Sequence, residues 1–264
     1  MTKVASNRLT LIALMLLGAV AFVCLMLGRW QLERAEVRRQ VAATLEAGRR
    51  ATPLKLTPMV SGAELKAWRP ATVEGKWRSE WSILLENRNL DGRPGLWLAT
   101  PLMLDQDTAV LVLRGWLERP IASRPVPTIP TSESAVSLVG ELAVRVPRLF
   151  ELWTSEKNAM ESLPQGWQGT KQPIAGAIDP VLLPRFQNLD LESYAKRTGL
   201  KLLPTVLMQS SGQDEEGLKR VWPEPSVDSD KNVGYAMQWF GFAGIVLVAF
   251  LVIIWRRFRS RQSP

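Results

Sequence analysis

The residues that could carry out chemistry are few in this sequence. Its 264 residues include no histidine, and Cys24 is the single cysteine. The absence of histidine excludes every Ser-His or Cys-His nucleophile pair, every histidine general base and every histidine-ligated zinc, copper or haem within the chain. A single cysteine also excludes an intramolecular disulfide and any paired-thiol metal or redox motif. Few ordinary enzymes therefore remain possible, and we predict no catalytic residue and no metal site.

The carboxylates form no recognisable catalytic group. Asp105 and Asp107 flank a predicted hairpin turn, and the rest of a calcium-binding loop is missing, so turn formation is the better interpretation. The run Asp214, Glu215 and Glu216 is typical of a solvated loop. A membrane enzyme that uses carboxylates is the third hypothesis for this chain, after the two given at the end of this section.

The group Arg114-Gly115-Trp116 follows an apolar strand predicted over residues 110–113. A glycine between a charged and an aromatic residue at a strand end often marks a β-bulge or a close approach of two backbones. Arg114 could face a buried carboxylate, a haem propionate or the lipid surface. A structural ion pair beside a packed tryptophan is the simpler interpretation.

Two uncharged, apolar runs frame the chain. Residues 9–28 and 235–255 are each long enough, at the rise of an α-helix, to cross about 30 Å of hydrocarbon. A cleaved signal peptide is the alternative for the first run, but its apolar stretch continues beyond Ala21, which favours an uncleaved anchor. Cys24 is interpreted as a lipid-facing or helix-facing thiol, because Val23 stands where a lipidation site needs a small residue.

Most of the excess positive charge lies at the two ends of the chain. The formal net charge is +8, and residues 1–8 and 256–264 hold six basic residues and no acidic one. Basic residues beside a membrane helix are topology signals and attract anionic lipid, so we predict no nucleic-acid partner. Counting charges alone leaves the orientation ambiguous, because four arginines also follow the first run: Arg29, Arg34, Arg38 and Arg39.

The segment between the two runs is predicted to be a β-rich α+β domain. Residues 29–50 continue the first helix out of the membrane, and residues 189–197 form a short helix capped by Asn188 or Asp190 and ended by Gly199. The prolines of residues 119–130 predict an extended loop, and residues 148–172 an uncertain, partly helical excursion. Strands are predicted over residues 71–77, 82–86, 96–104, 109–116, 135–146 and 202–209, with a hairpin turn at residues 89–95.

The predicted organisation is therefore a membrane protein with two transmembrane helices bracketing one extramembrane domain. The boundaries are a tail at residues 1–8, a membrane helix at 9–28, the domain with its juxtamembrane helix at 29–234, a second membrane helix at 235–255 and a basic tail at 256–264. Trp30, Trp239 and Trp255 fit interfacial positions. We expect Gln31 and Gln238 to hydrogen-bond between the two helices, because a polar group at that depth seeks a partner.

Short motifs at both ends and in the middle of the chain occur in a specific order. They are Leu27-Gly28-Arg29-Trp30-Gln31 with Arg34, then Gly95, Thr100-Pro101-Leu102 and Arg114-Gly115-Trp116, and finally Tyr235-Ala236-Met237-Gln238-Trp239. These motifs, in their order and spacing and in their position between and within two membrane helices, resemble those of the Surfeit locus protein 1 family of cytochrome oxidase assembly factors. The resemblance implies these candidate family-motif and partner-contact residues: Trp30, Gln31, Arg34, Arg114, Gly115, Trp116, Tyr235, Gln238 and Trp239.

Two positions depart from the family pattern. Leu113 stands where many relatives have asparagine before Arg-Gly-Trp, and Asn232 stands where they commonly have histidine three residues before the Tyr-Ala pair. That histidine is the family's candidate haem ligand, and asparagine cannot serve as a strong axial ligand. Transient binding of haem a, which the resemblance implies, would here need a ligand other than histidine.

The resemblance implies a non-enzymatic assembly factor for haem-copper cytochrome c oxidase, which assists maturation of the haem-containing subunit I. The implied partners are subunit I or assembly intermediates, haem a synthase and membrane lipid. The implied location is the bacterial inner membrane, with both tails cytoplasmic and the main domain periplasmic. The alternative is a periplasmic sensing or binding domain that signals through a separate membrane partner, because tails of eight and nine residues hold no output domain.

Overall fold

The chain is organised as two compact units. A computed structural model describes residues 2–119, 127–149, 167–172, 174–212 and 217–262. The helical unit comprises Met1–Ala43 and Glu224–Pro264, and the barrel unit comprises Thr44–Pro223. Three sequence predictions lie outside the described residues, wholly or for the most part: the proline-rich loop around residues 120–126, the excursion at residues 148–172 and the acidic run at residues 214–216.

Three helices and ten strands make up the described secondary structure, apart from two single turns of 3₁₀ helix. The helices are α1 (Thr2–Arg50), α2 (Leu191–Thr198) and α3 (Asp230–Gln262). The strands are β1 (Leu54–Lys55), β2 (Pro70–Trp77), β3 (Ile83–Leu85), β4 (Gly95–Met103), β5 (Thr108–Glu118), β6 (Ile129–Pro130), β7 (Val136–Ala143), β8 (Ala177–Ile178), β9 (Arg185–Phe186) and β10 (Lys201–Gln209).

Helices α1 and α3 confirm the two predicted membrane helices. Each contains an apolar stretch long enough to cross a membrane, and large apolar side chains such as Leu16, Phe22 and Val248 are exposed there, as expected where lipid covers them. Helix α1 continues without a break to Arg50, which confirms the juxtamembrane helix. Helix α3 begins at Asp230, before the predicted span, so that Asn232 lies in its first turn.

Small residues let α1 and α3 approach each other closely. A Cβ atom added to Gly28 of α1 would stand 2.6 Å from the ring of Phe240 in α3. Along α1, residues 24, 28, 31 and 35 are shielded from solvent, at spacings of four, three and four residues, as in the seams of packed helices. Gln31 is half-buried and the other three are buried. The buried seam residues are Cys24, Gly28 and Ala35 on α1, and Asn232, Ala236 and Ala243 on α3.

Five strands of the barrel unit close into a ring. The order around the ring is β2, β7, β10, β5 and β4, and the pairing of Lys76 and Trp77 with Met103 and Leu102 joins β4 back to β2. Strands β10 and β5 are parallel, and the other neighbours in the ring are antiparallel. Strand β1 extends the sheet beyond β2, β3 and then β9 extend it beyond β4, and β6 pairs with β8 separately.

One apolar cluster fills the barrel, and a second covers part of its outside. Only the interior of the ring can receive side chains from all five strands, as the first cluster does, with Val73, Leu102, Val112, Leu142 and Leu207 among its members. Successive side chains of a strand point to opposite faces. Leu111 and Leu113 of β5 therefore belong to the second cluster, together with Tyr194 of α2.

Helix α2 is capped at both ends as its sequence predicts. The side chain of Asp190 accepts a hydrogen bond of 2.8 Å from the backbone N–H of Ser193, and this bond holds the pKa of Asp190 below its usual value. Gly199 ends the helix in the left-handed region, with φ of 71°. Of the two predicted caps Asp190 is correct, because Asn188 instead bonds the backbone of Leu149.

Two glycines permit close contacts between strands of the ring. A Cβ atom added to Gly75 of β2 would stand 2.2 Å from the carbonyl oxygen of Met103 in β4. One added to Gly140 of β7 would stand 2.3 Å from the carbonyl oxygen of Met208 in β10. A backbone oxygen cannot move aside as the end of a flexible side chain can, so any larger residue would push the strands apart. Gly75 therefore lies at the contact that closes the barrel.

We expect Gly75→Ala to lower the free energy of unfolding of the barrel unit by about 1–3 kcal/mol, the usual cost of overpacking. Gly62→Ala is the matched control, because no atom lies within 4 Å of a Cβ added there. Denaturant unfolding of the full chain in detergent, followed by tryptophan fluorescence, measures both variants. Equal stabilities would contradict the role of Gly75 in closing the ring.

Candidate functional site

Arg114 occupies a β-bulge inside strand β5. Leu98 of β4 pairs with Gly115, and the next residue, Ala99, pairs with Leu113, so that Arg114 has no opposite residue in β4. The expected bulge is confirmed, but its expected position at a strand end is wrong, because β5 continues to Glu118. A bulge redirects the side chain of the extra residue.

The redirected Arg114 side chain is fully buried. Its Nη1 donates to the Thr131 hydroxyl at 2.8 Å, and its Nη2 donates to the Pro130 carbonyl at 3.0 Å. The guanidinium also lies 4.6 Å from the centre of the Trp77 ring. Arg114 thus fastens the end of β6 and the residue after it onto β2 and β5. The hypothesis that it faces the lipid surface is wrong, because a buried guanidinium cannot reach lipid.

Gly115 and Trp116 attach a second segment to β5. A Cβ atom added to Gly115 would stand 2.8 Å from Cβ of Leu218. Trp116 exchanges two backbone hydrogen bonds with Lys219, at 2.7 and 2.8 Å. Its indole Nε1 donates to the carbonyl of Arg88. These contacts favour the structural interpretation of the Arg114-Gly115-Trp116 group.

Arg88 is a buried polar residue that the sequence analysis missed. Its side chain lies 4.6 Å from the centre of the Trp97 ring and donates to the carbonyl of Gln187 at 2.9 Å. Burial lowers the pKa of Arg88 to about 10. Its position in a polar turn between β3 and β4 gave no signal of burial, because turns usually lie at the surface.

The carboxylates form turns and caps. Asp105 accepts hydrogen bonds from the backbone N–H groups of Thr108 (2.6 Å) and Asp107 (2.9 Å). These bonds hold the pKa of Asp105 below its usual value and confirm that the residue shapes the turn between β4 and β5. Among the residues that the structure describes, no three Cys, Asp or Glu side chains are grouped as a metal site would require.

In the helical unit, Gln31 is bonded to Asn232. Nδ2 of Asn232 donates to Oε1 of Gln31 at 2.6 Å, and the two side chains join α1 to α3. The predicted bond between Gln31 and Gln238 is wrong, because Gln238 lies on another side of α3 and is exposed. The spacing of Asn232, Ala236 and Ala243 along one face of α3 is the sequence signal that could have identified the true partner.

The remaining candidate residues of the helical unit are more exposed. Trp30 and Tyr235 are about half exposed, and the guanidinium of Arg34 lies 5.3 Å from the centre of the Trp30 ring. Trp239 is half-buried and packs edge-on against Phe242, with ring centres 6.0 Å apart. An aromatic ring with one polar neighbour is typical of the membrane interface.

The side chain at the family's histidine position does not fit haem iron. Asn232 is buried, and its Nδ2 is engaged by Gln31. Its remaining atom, Oδ1, is buried without a hydrogen-bond partner among the described residues. A neutral amide oxygen is not among the axial ligands that proteins use for haem, which are imidazole, thiolate, thioether and phenolate groups. We therefore derive no step through haem at this position.

A helix long and apolar enough to cross a membrane at each end of the chain, and a closed β-barrel between the two in the sequence, define a membrane-anchored barrel protein. The model of the SURF1 family matches residues 18–244. A SURF1-like protein of Rickettsia bellii is 24% identical over 251 residues, which cover 92% of this chain and 90% of the relative. Uncharacterized SURF1-like proteins of Mycobacterium bovis and Mycobacterium tuberculosis are each 23% identical over 263 residues, covering 93% of this chain and 85% of the relative.

The chain belongs to the SURF1 family, the Surfeit locus protein 1 family that its motifs resemble. The match includes parts of both membrane helices and all of the barrel unit. The resemblance drawn from the short motifs is thereby confirmed.

We expect Arg114→Met to lower the free energy of unfolding by about 1–3 kcal/mol, because the Pro130 carbonyl and the Thr131 hydroxyl lose their buried charged donor. Arg119→Met is the matched control, since Arg119 lies just beyond β5 and its ion pair with Glu86 is partly exposed, worth less than about 1 kcal/mol. Denaturant unfolding of the full chain measures both. A loss no larger than in the control would show that Arg114 does not hold the barrel together.

Proposed function

We propose that this protein is a non-enzymatic assembly factor for a haem-copper cytochrome c oxidase, acting on the haem-containing subunit I in a bacterial inner membrane. Family membership supports the assembly role. The proposed partners are subunit I or its assembly intermediates, with haem a synthase as a further partner by family resemblance. The protein acts by contact: its helices dock to the membrane part of the intermediate while the barrel unit holds the part outside the membrane.

The observation that carries this proposal is the outward face of α3. At about 100° per residue, Gly234, Gln238, Gly241 and Ile245 fall within about 60° of one another on the helix. The residues that face α1, which are Asn232, Ala236 and Ala243, lie about 170° away from them. All four residues are exposed. The face that carries Gln238 is therefore directed away from α1.

Gln238 is the polar centre of this outward face. It lies within the predicted membrane span and makes no hydrogen bond among the described residues. Within one turn on either side are Gly234 and Gly241, and no atom lies within 4 Å of a Cβ added to either glycine. A glutamine in hydrocarbon gains from a polar partner, and flanking glycines let another helix approach closely enough to supply one. The occupant that we propose is a transmembrane helix of subunit I.

The proposed topology is the one that the family resemblance implies, and the basic end of α3 supports it. Arg256, Arg257 and Arg259 follow the apolar part of α3 within the same helix, and the guanidinium of Arg259 lies 5.3 Å from the centre of the Trp255 ring. Basic residues in the short tail after a span are typical of its cytoplasmic side. With two spans, both tails are then cytoplasmic and the barrel unit is periplasmic.

Deleting the gene tests the assembly role. We expect the a-type oxidase band in reduced-minus-oxidised spectra of membranes to fall, while other cytochromes persist, because subunit I would mature poorly. The strain that carries the gene on a plasmid is the control. An unchanged spectrum, under conditions in which that oxidase is expressed, would contradict the assembly role and favour the sensing alternative.

Gln238→Leu tests the docking face. We expect this variant to lower the a-type oxidase signal several-fold at an unchanged level of the protein, because the hydrogen bond to the partner helix is lost. Met237→Leu is the matched control, since Met237 is the neighbouring exposed side chain and is already apolar. Immunoblots of the membranes measure the amount of each variant. Normal oxidase levels with Gln238→Leu would remove the glutamine from the proposed mechanism.

A further inference from the structure

The hydrogen bond between Gln31 and Asn232 occupies the position at which the family resemblance would place a haem ligand. We infer that this pair is a clasp that sets the alignment of α1 with α3, and that Asn232 gives no ligand to haem iron. The clasp is defined by these two side chains, whose amides meet at 2.6 Å. The inference stands apart from the proposed function, because it concerns how the chain holds its own helices together.

The surroundings of the clasp explain why a polar pair is needed. The adjacent seam positions on the two helices are Ala35 and Ala236, both fully buried. Further along, Gly28 lies against Phe240. Small and smooth surfaces pack well at more than one relative position, so packing alone specifies the alignment weakly. A single polar pair within an apolar seam selects one alignment, because any other would leave its amides without partners.

A second hydrogen bond lies further out along the same seam. Nη1 of Arg38 donates to the carbonyl oxygen of Asp228 at 2.7 Å. Arg38 is seven residues beyond Gln31 on α1, and Asp228 is four residues before Asn232. The two bonds therefore succeed each other along an antiparallel pair of segments. Together they restrict sliding of one helix along the other more than either bond alone.

The chemistry of the clasp is incompatible with iron ligation by Asn232. An amide whose nitrogen donates to Gln31 offers only a carbonyl oxygen to a metal, and that oxygen is a weak ligand for haem iron. Exchanging oxygen and nitrogen in both amides gives the same hydrogen bond with donor and acceptor reversed. The pairing therefore does not depend on the orientation assigned to either amide.

The clasp also has a consequence for the outward face of α3. Asn232 faces α1, and Gln238 lies about 120° around the helix from it. Fixing Asn232 against Gln31 fixes the rotation of α3 about its own axis. Asn232 is thus a positioning residue that keeps Gln238 directed away from α1.

Cross-linking of the purified full chain in detergent tests the clasp. With Cys24 replaced by alanine, the pair Gly28→Cys and Phe240→Cys places two thiols at the observed helix contact. We expect adding Asn232→Leu to slow oxidative cross-linking about threefold, the factor that corresponds to an average interhelical hydrogen bond in a membrane protein. The exchange of Gln31→Asn with Asn232→Gln keeps both amides and is expected to restore the rate.

Two results would overturn the clasp. One is a cross-linking rate that Asn232→Leu leaves unchanged. The other is a reduced rate that the exchanged pair does not restore, because the loss would then come from packing and not from the hydrogen bond. Neither measurement involves the oxidase, so the clasp and the assembly role can fail independently.

Titration of the same protein with iron protoporphyrin IX tests the statement about haem. We expect the Soret band and the electron paramagnetic resonance spectrum of the bound iron to be the same for the natural chain and for Asn232→Leu. Iron protoporphyrin IX that dissolves in the detergent micelle contributes equally to both samples. Asn232→His calibrates the assay by supplying an imidazole at the same place. A Soret band or electron paramagnetic resonance spectrum of the natural chain that changes in Asn232→Leu would show that Asn232 ligates iron.

Discussion

The hydrocarbon of a bilayer offers no hydrogen-bond partner, and the helical unit depends on this constraint. Helices α1 and α3 satisfy their own backbone groups, so only side chains need partners. Just beyond the two apolar spans, the buried Asn232 finds a partner in Gln31 across the seam. Gln238 has none among the described residues and lies about 120° around α3 from Asn232. The amides of Gln31 and Asn232 thus bond to each other within the protein. The amide of Gln238 is left for the partner helix that we propose.

The barrel unit obeys the related rule that buried polar groups must be paired where water cannot reach. Arg114, displaced from the ladder by a bulge, gives its donors to Thr131 and to the Pro130 carbonyl. The Trp116 indole gives its proton to the Arg88 carbonyl. These bonds attach β6 and the turn between β3 and β4 to β5, so the contacts of the family motif Arg114-Gly115-Trp116 are structural ones.

Prediction from sequence succeeded where the signal was local. The membrane helices, the cap at Asp190, the terminator at Gly199 and the turn at Asp105 each depend on residues within a few positions of one another. Prediction failed where the partner was remote. The sequence paired Gln31 with Gln238 because both are amides at similar depth, whereas the rotation of α3 brings Asn232 to the seam. Arg88, in a polar turn, carried no sign that Trp97 would cover it.

The sequence by itself determined which chemistry is absent and where the membrane lies, because histidine content, cysteine count and apolar runs are properties of composition and order. It also identified the family, through motifs whose order survives divergence. Only the tertiary structure decided that β4 returns to β2 to close the barrel, and that Asn232 meets Gln31. Both facts depend on distances between residues remote in the chain, which packing sets and no local pattern encodes.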